Sequence, residues 1–149
     1  MTEMPIVLTD DPADADRTAI SNGLAGFTEA QVGFRDYRSI AVLVKDPETF
    51  ETIGGMYGRT SYGTLVIDTV YLPQHLRGED LGSRLLGMME DEAVARGCSA
   101  GFLMTLSFQA PGFYARRGWI EFGRIPCEPP GSARVFFRKT FSSREERAL

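Results

Sequence analysis

Leu81, Leu85, Met89 and Ala93 recur at every fourth position, with Leu86 and Met88 widening the stripe and Arg84, Glu90 and Asp91 on the other side. Such a period buries one helical face, so Leu81 to Arg96 is predicted to be an amphipathic helix ended by Gly97. Apolar runs flank it on both sides, Thr64 to Leu72 before and Gly101 to Leu106 after. The second run is reached directly from the helix. This order points to a β-α-β unit with a parallel, buried pair of strands.

The remaining elements assemble around that unit. Ser39 to Lys45 and Thr52 to Ser61 read as strands joined to Thr64–Leu72 in an antiparallel meander, with turns at Asp46-Pro47-Glu48 and Tyr62-Gly63. Gly54, Gly55 and Gly58 suggest a bulge or a close backbone approach in the second strand. Ile6 to Leu8 reads as an edge strand. A helix starting near Asp10-Asp11-Pro12 is expected to end at Ala25, with Gly26 as its stop and a short second helix at Thr28–Gln31. Ala110 to Arg117 reads as a short helix, and Ile120–Ile125 and Arg134–Thr140 as the last strands. Trp119 and Phe122 are expected in the core. The fold class is α+β in three layers: a mixed, mostly antiparallel twisted sheet with helices on both faces. One domain is expected over 1–149, since no linker, repeat or low-complexity tract divides the chain.

Composition narrows the function. Sixteen basic against twenty acidic side chains give a net charge of −4, with no basic block, which argues against a general nucleic-acid binder. His75 is the only histidine, so a two-histidine zinc site or a histidine base elsewhere in the chain is closed. Cys98 and Cys127 have no CxxC companion, and Met1 to Pro5 does not begin a signal peptide. A reduced, cytoplasmic protein is expected. The uncharged run Gly97 to Ala115 holds too many polar residues and glycines for a membrane span.

The chemically informative stretch is Leu72-Pro73-Gln74-His75-Leu76-Arg77-Gly78-Glu79-Asp80-Leu81-Gly82-Ser83, which joins a buried strand to the start of the strongest helix. The first amides of a helix lack partners and its dipole is positive there. Gly78 and Gly82 permit close backbone approach, Arg77 adds a charge and Ser83 a hydroxyl. Together they describe an anion cradle suited to a pyrophosphate, and equally an ordinary glycine-containing turn. The motif is neither a P-loop nor GxGxxG.

Arg77-Gly78-Glu79-Asp80-Leu81-Gly82 resembles the R/Q-x-x-G-x-G/A signature of the GNAT superfamily of acetyl-CoA-dependent N-acetyltransferases, with Asp80 at the first glycine position. Ser107 to Trp119 is similar to that family's N-x-x-A-x-x-x-Y-x-x-x-G-F/Y, with Ser107 at the asparagine position and Gln109 nearby. The order of elements resembles the family fold along nearly the whole chain.

That resemblance implies acetyl-CoA as cosubstrate, no metal, and an amine acceptor. Backbone groups of Val70 and Leu72 would pair with pantetheine. Arg77 and the amides of Gly78, Glu79, Asp80, Leu81, Gly82 and Ser83 would hold the pyrophosphate, with Ser107, Gln109 and Tyr114 as further contacts. Tyr114 would protonate the departing thiolate; without the motif it reads as a core aromatic. Asp68, on the strand parity of Val70 and Leu72, is a candidate base, an ammonium binder, or a structural carboxylate. Met104 lies where some relatives carry an acidic base. The acceptor region is expected near Phe27–Tyr37 with Tyr57 and Arg59. A small-molecule amine is the leading acceptor, a protein N-terminus or lysine the nearest rival, and a CoA-binding sensor without turnover the reading from another class. Neither nucleic acid nor membrane is an expected partner, and a homodimer is compatible with the reading.

Overall fold

The computed structural model describes residues 2–78 and 80–141. They divide at Arg35 and Asp36 into two compact units. The first holds one helix, α1 (Asp14–Val32), none of whose residues is buried. It runs through Gly26 instead of stopping there, so the expected break and second helix become one element. A mid-helix glycine costs only about 1 kcal/mol, and Phe27 to Val32 continue the helix past it. The stop is Gly33, left-handed at φ 89°, whose N–H donates to the Glu29 carbonyl. At the other end the Ala13 N–H donates to Asp16 Oδ2 at 3.0 Å. Ile6 to Leu8 form no strand and are exposed.

The second unit is a six-stranded sheet: β1 (Arg38–Lys45), β2 (Thr52–Ser61), β3 (Thr64–Tyr71), β4 (Ala100–Leu106), β5 (Ile120–Cys127) and β6 (Ser132–Thr140), ordered β1-β2-β3-β4-β6-β5. Every pairing is antiparallel except β3 with β4. Helix α2 (Leu81–Ala95) crosses between those two, as the β-α-β reading predicts, and α3 (Pro111–Ala115) follows β4.

Leu85, Leu86, Met89 and Ala93 of α2 are buried against Ile40, Met56, Leu65, Ile67, Leu103, Val135 and Phe137 of the sheet. Tyr114 and Trp119 complete this core. Phe122 does not join it: it is 52% exposed and sits beside Phe136. Glu90, expected on the solvent side of α2, is buried and ion-paired with Lys139 of β6. That lysine also donates to the Arg117 carbonyl at 2.9 Å. At its C-terminal end α2 is tied to the meander by Arg96, which donates to the Ser39 carbonyl and to Thr60 Oγ1.

Candidate active site

Strands β3 and β4 begin as neighbours and then part. They pair only from Thr64–Ala100 to Ile67–Leu103. Beyond that point β3 pairs with β2 alone and β4 with β6 alone. The facing edges of Asp68–Tyr71 and Met104–Leu106 are therefore free of strand partners, a fork that leaves the β3 edge open to a ligand while Gln109 engages Leu106 on the β4 side.

Asp68 sits at the mouth of the fork and is the cause of a break in register. Tyr57 opposes Thr69 while Gly58 opposes Ile67, so Asp68 is an extra residue bulged out of β3. The tight approach expected of β2 is here too, since a Cβ on Gly58 would lie 1.9 Å from the Val66 carbonyl oxygen. A bulge shifts the alternation of side chains. Leu72 packs toward the α2 core, with its Cδ1 3.6 Å from where a Cβ on Gly82 would stand. Asp68 instead joins Val66, Phe102, Met104 and Phe136 on the opposite face. The expected common parity of Asp68, Val70 and Leu72 is thus overturned, because simple alternation holds only in an unbulged strand. Both Asp68 oxygens face Arg59 Nη1, at 2.9 and 3.1 Å.

After β3, Pro73 leads into a short 3₁₀ turn, Gln74–Leu76, which carries the exposed His75. The side chain of Arg77 folds back so that its Nε donates to the Leu72 carbonyl at 2.9 Å. One of the backbone groups expected to meet a ligand is thereby engaged from within the chain. Gly78 and Asp80 both take positive φ, 85° and 60°. Asp80 thus occupies, at the signature's first glycine position, the left-handed conformation that glycine adopts freely and aspartate tolerates better than most residues. Its side chain makes no cap bond, and it precedes α2 directly. Glu79 lies outside the described residues.

The amides of Leu81, Gly82 and Ser83 open α2, where no intrahelical acceptor exists for them. Gly82 has a packing reason to lack a side chain: an added Cβ would stand 3.2 and 3.3 Å from Phe113 Cε2 and Cζ of α3. Phe113 in turn lies 3.9 Å beneath the Arg117 guanidinium. These free amides, the nearby guanidinium of Arg77 and the open fork fit the phosphate and pantetheine parts of a coenzyme A molecule.

Tyr114 is 5% exposed, edge-on to Phe113 at 5.0 Å and to Trp119 at 6.4 Å, and beside Phe137 at 6.0 Å. Burial pushes its phenol up to about 12. The group is a neutral proton holder at any physiological pH.

Ser107 and Gln109 act within the loop that joins β4 to α3. Ser107 Oγ accepts from the Ala133 N–H at 2.9 Å, and Gln109 Oε1 accepts from the Leu106 N–H at 2.9 Å. Ser107 thus ties the loop to β6 and Gln109 holds the end of β4, tasks that spacing alone does not reveal. The pairing partner of Asp68 was not legible as such either; Arg59 lies nine residues away, across a hairpin whose register the bulge resets. Burial raises the Cys98 thiol, with Asp36 adding to the effect and Arg96 opposing it, so it is not an activated nucleophile.

Comparison with known proteins agrees with this geometry. The model of the Acetyltransferase (GNAT) family matches residues 15–119. An acetyltransferase of Agrobacterium fabrum is 30% identical over 139 residues, 93% of this chain and 100% of its own. The blasticidin-S acetyltransferase of Streptomyces morookaense is 39% identical over 85 residues, 56% of this chain and 62% of its own. A crystal structure from Agrobacterium tumefaciens superposes with a TM-score of 0.85 at 28% identity, covering 93% of this chain and 100% of that one. A fork between parallel strands above a helix N-terminus, on a fold and sequence shared with these relatives, makes this chain a member of the GNAT family of acetyl-CoA-dependent acetyltransferases.

Proposed function

We propose that the chain transfers the acetyl group of acetyl-CoA to a primary amine of a small molecule, by direct attack with both substrates bound. The observation that carries this reading is the parting of β3 from β4 beyond Ile67 and Leu103, next to the N-terminus of α2. The backbone of Val70 on the free edge of β3, and of Leu72 just after the strand, would line pantetheine. The Leu81–Ser83 amides and Arg77 would hold the pyrophosphate, with Gly78 and Asp80 shaping the loop around it. An N–H on the same edge would bind the thioester carbonyl oxygen as it gains charge.

The amine nitrogen forms a bond to the acetyl carbon, the carbon–sulfur bond breaks, and the thiolate takes a proton from the Tyr114 hydroxyl. The amine's surplus proton leaves through Asp68 or a water beside it. A buried phenol at about 12 is a weak acid, which suits a donor that must stay protonated until a thiolate appears next to it. A small-molecule acceptor is favoured by the blasticidin-S acetyltransferase relative and by the modest cavity at the fork. The test is a thiol-release assay across polyamines, aminoglycosides, amino acids and short peptides. Release with a small amine is the expected result; release with peptides only moves the enzyme to a protein acceptor, and none at all removes the transferase reading.

A further inference from the structure

At the base of the fork, on the sheet face away from α2, lies a cavity of about 230 Å³. Val66, Phe102, Met104 and Phe136 wall it, and the Arg59–Asp68 pair stands among them. The two charged side chains are 32% and 39% exposed. An ion pair so wetted contributes at most about 1 kcal/mol. Yet aspartate is disfavoured inside strands, and apolar residues in both places would extend the surrounding surface. Stability does not account for the pair.

Its hydrogen bonding points to a ligand. Only Nη1 of Arg59 serves Asp68, through both carboxylate oxygens. Among the described residues, Nε and Nη2 have no acceptor. That edge of a guanidinium is a planar fork matched to a carboxylate. Asp68 has acceptor capacity left after Arg59, enough for an ammonium group. A cation site and an anion site therefore stand side by side over apolar walls, where the last β3–β4 pair gives way to the open edge proposed for the thioester. The volume lies below the roughly 300–1,000 Å³ of pockets for drug-sized ligands.

Resting on the acetyl-transfer reading above, we propose that the acceptor is a small apolar amino acid, an amine with a carboxylate a few bonds from its nitrogen. Asp68 holds the ammonium, Arg59 the carboxylate, and Phe102, Met104 and Phe136 the side chain. The amine is thereby oriented by its own carboxylate at the place where the acetyl carbon is presented.

Calorimetric titration of the full chain saturated with CoA tests this with matched ligands: leucine against isoamylamine, phenylalanine against phenethylamine, and methionine against 3-(methylthio)propylamine. At least one amino acid should bind about tenfold or more tightly than its decarboxylated partner, the scale of a charged hydrogen bond. Arg59→Met should erase the preference, bringing that amino acid and its decarboxylated partner to the same affinity, with the amine binding no more weakly than before because Asp68 loses its competing cation. Arg59→Lys, which keeps charge but not the fork, should do most of the same and covers a failure of the first variant to fold. Equal affinity within all three pairs, no binding by any amino acid, or equal weakening of both members by the Arg59 variants overturns the proposal. Thiol release read in parallel separates the two readings. Preferred amino-acid binding without release sinks the transferase reading and leaves this site standing, whereas release with no preference for a carboxylate does the reverse.

Discussion

Phe113 stands where Gly82 has no side chain: an added Cβ would lie 3.2 Å from the ring's Cε2 and 3.3 Å from its Cζ. The signature glycine of the α2 N-terminus is therefore a packing partner of α3, the helix that carries Tyr114. Both halves of the proposed site are held together by that contact. Gly87, five residues further along the same helix, has open space where its Cβ would be.

The two glycines should respond oppositely to alanine. Gly87→Ala should stabilise the protein by about 0.5–1 kcal/mol, the ordinary helix gain. Gly82→Ala should forfeit that gain, because Phe113 is pinned beneath Arg117 and against Tyr114. Gly82→Val should cost about 1–3 kcal/mol through overpacking. Denaturant midpoints of the three variants check the order; a stabilising Gly82→Ala would show that Phe113 moves freely.

Tyr114→Phe should lower kcat by about 10²–10⁴, the usual worth of a general acid, with little change in acetyl-CoA affinity. The buried phenol also couples to stability. Its pKa is raised in the fold, from 10.0 to about 12, so its neutral form is the one the fold favours. Its contribution is fully present below pH 10 and is lost as pH climbs through 12, about 3 kcal/mol in all. Between those limits the wild type should lose more stability than Tyr114→Phe, as measured by urea unfolding at pH 9 and pH 11. Parallel losses would mean that the phenol ionises as freely folded as unfolded.

Arg77 and Asp80 flank the proposed pyrophosphate position with opposite charges. Arg77→Ala should weaken acetyl-CoA binding by about tenfold or more, since it removes a charged donor. Asp80→Gly should preserve the positive φ of 60° and remove a carboxylate from the helix N-terminus. A gain of about two- to fivefold in acetyl-CoA affinity is expected, larger at low salt. Asp80→Val, by contrast, should destabilise by about 1–2 kcal/mol, because a β-branched residue resists the left-handed region. Titration of acetyl-CoA at two ionic strengths checks the first two, and thermal unfolding the third. An unaltered dissociation constant in Arg77→Ala would take that residue out of the phosphate site.

Lys139→Met should be costly. It strands the Glu90 carboxylate, only 6% exposed, without its partner. A loss of about 3 kcal/mol is expected, a drop of roughly 10 °C in Tm. Adding Glu90→Leu to the same chain should recover much of it, since two apolar groups replace a pair instead of breaking it. A melting temperature that falls again in the double variant would contradict this account.

Local pattern alone determined much of this protein. The four-residue repeat of α2, the β-rich runs on either side and the turns at Asp46–Glu48 and Tyr62–Gly63 are written in consecutive residues. Each follows from side chains close together in the chain, so the meander and the parallel crossover were legible without coordinates. The two motif blocks likewise marked the loop before α2 and the helix α3, the parts to which the acetyl-transfer proposal assigns chemistry. Long-range pairing decided the rest. The bulge at Asp68 depends on which β2 residue faces which β3 residue, and it alone put Asp68 and Leu72 on opposite faces. Arg59 meets Asp68, Phe113 fills the space above Gly82, and Lys139 reaches Glu90 only because separate strands and helices are brought together. Gly26, a plausible stop when read locally, was overridden by the helix formers after it. Periodicity reports what one segment prefers; register and packing depend on partners far along the chain, and those exist only once the sheet has formed.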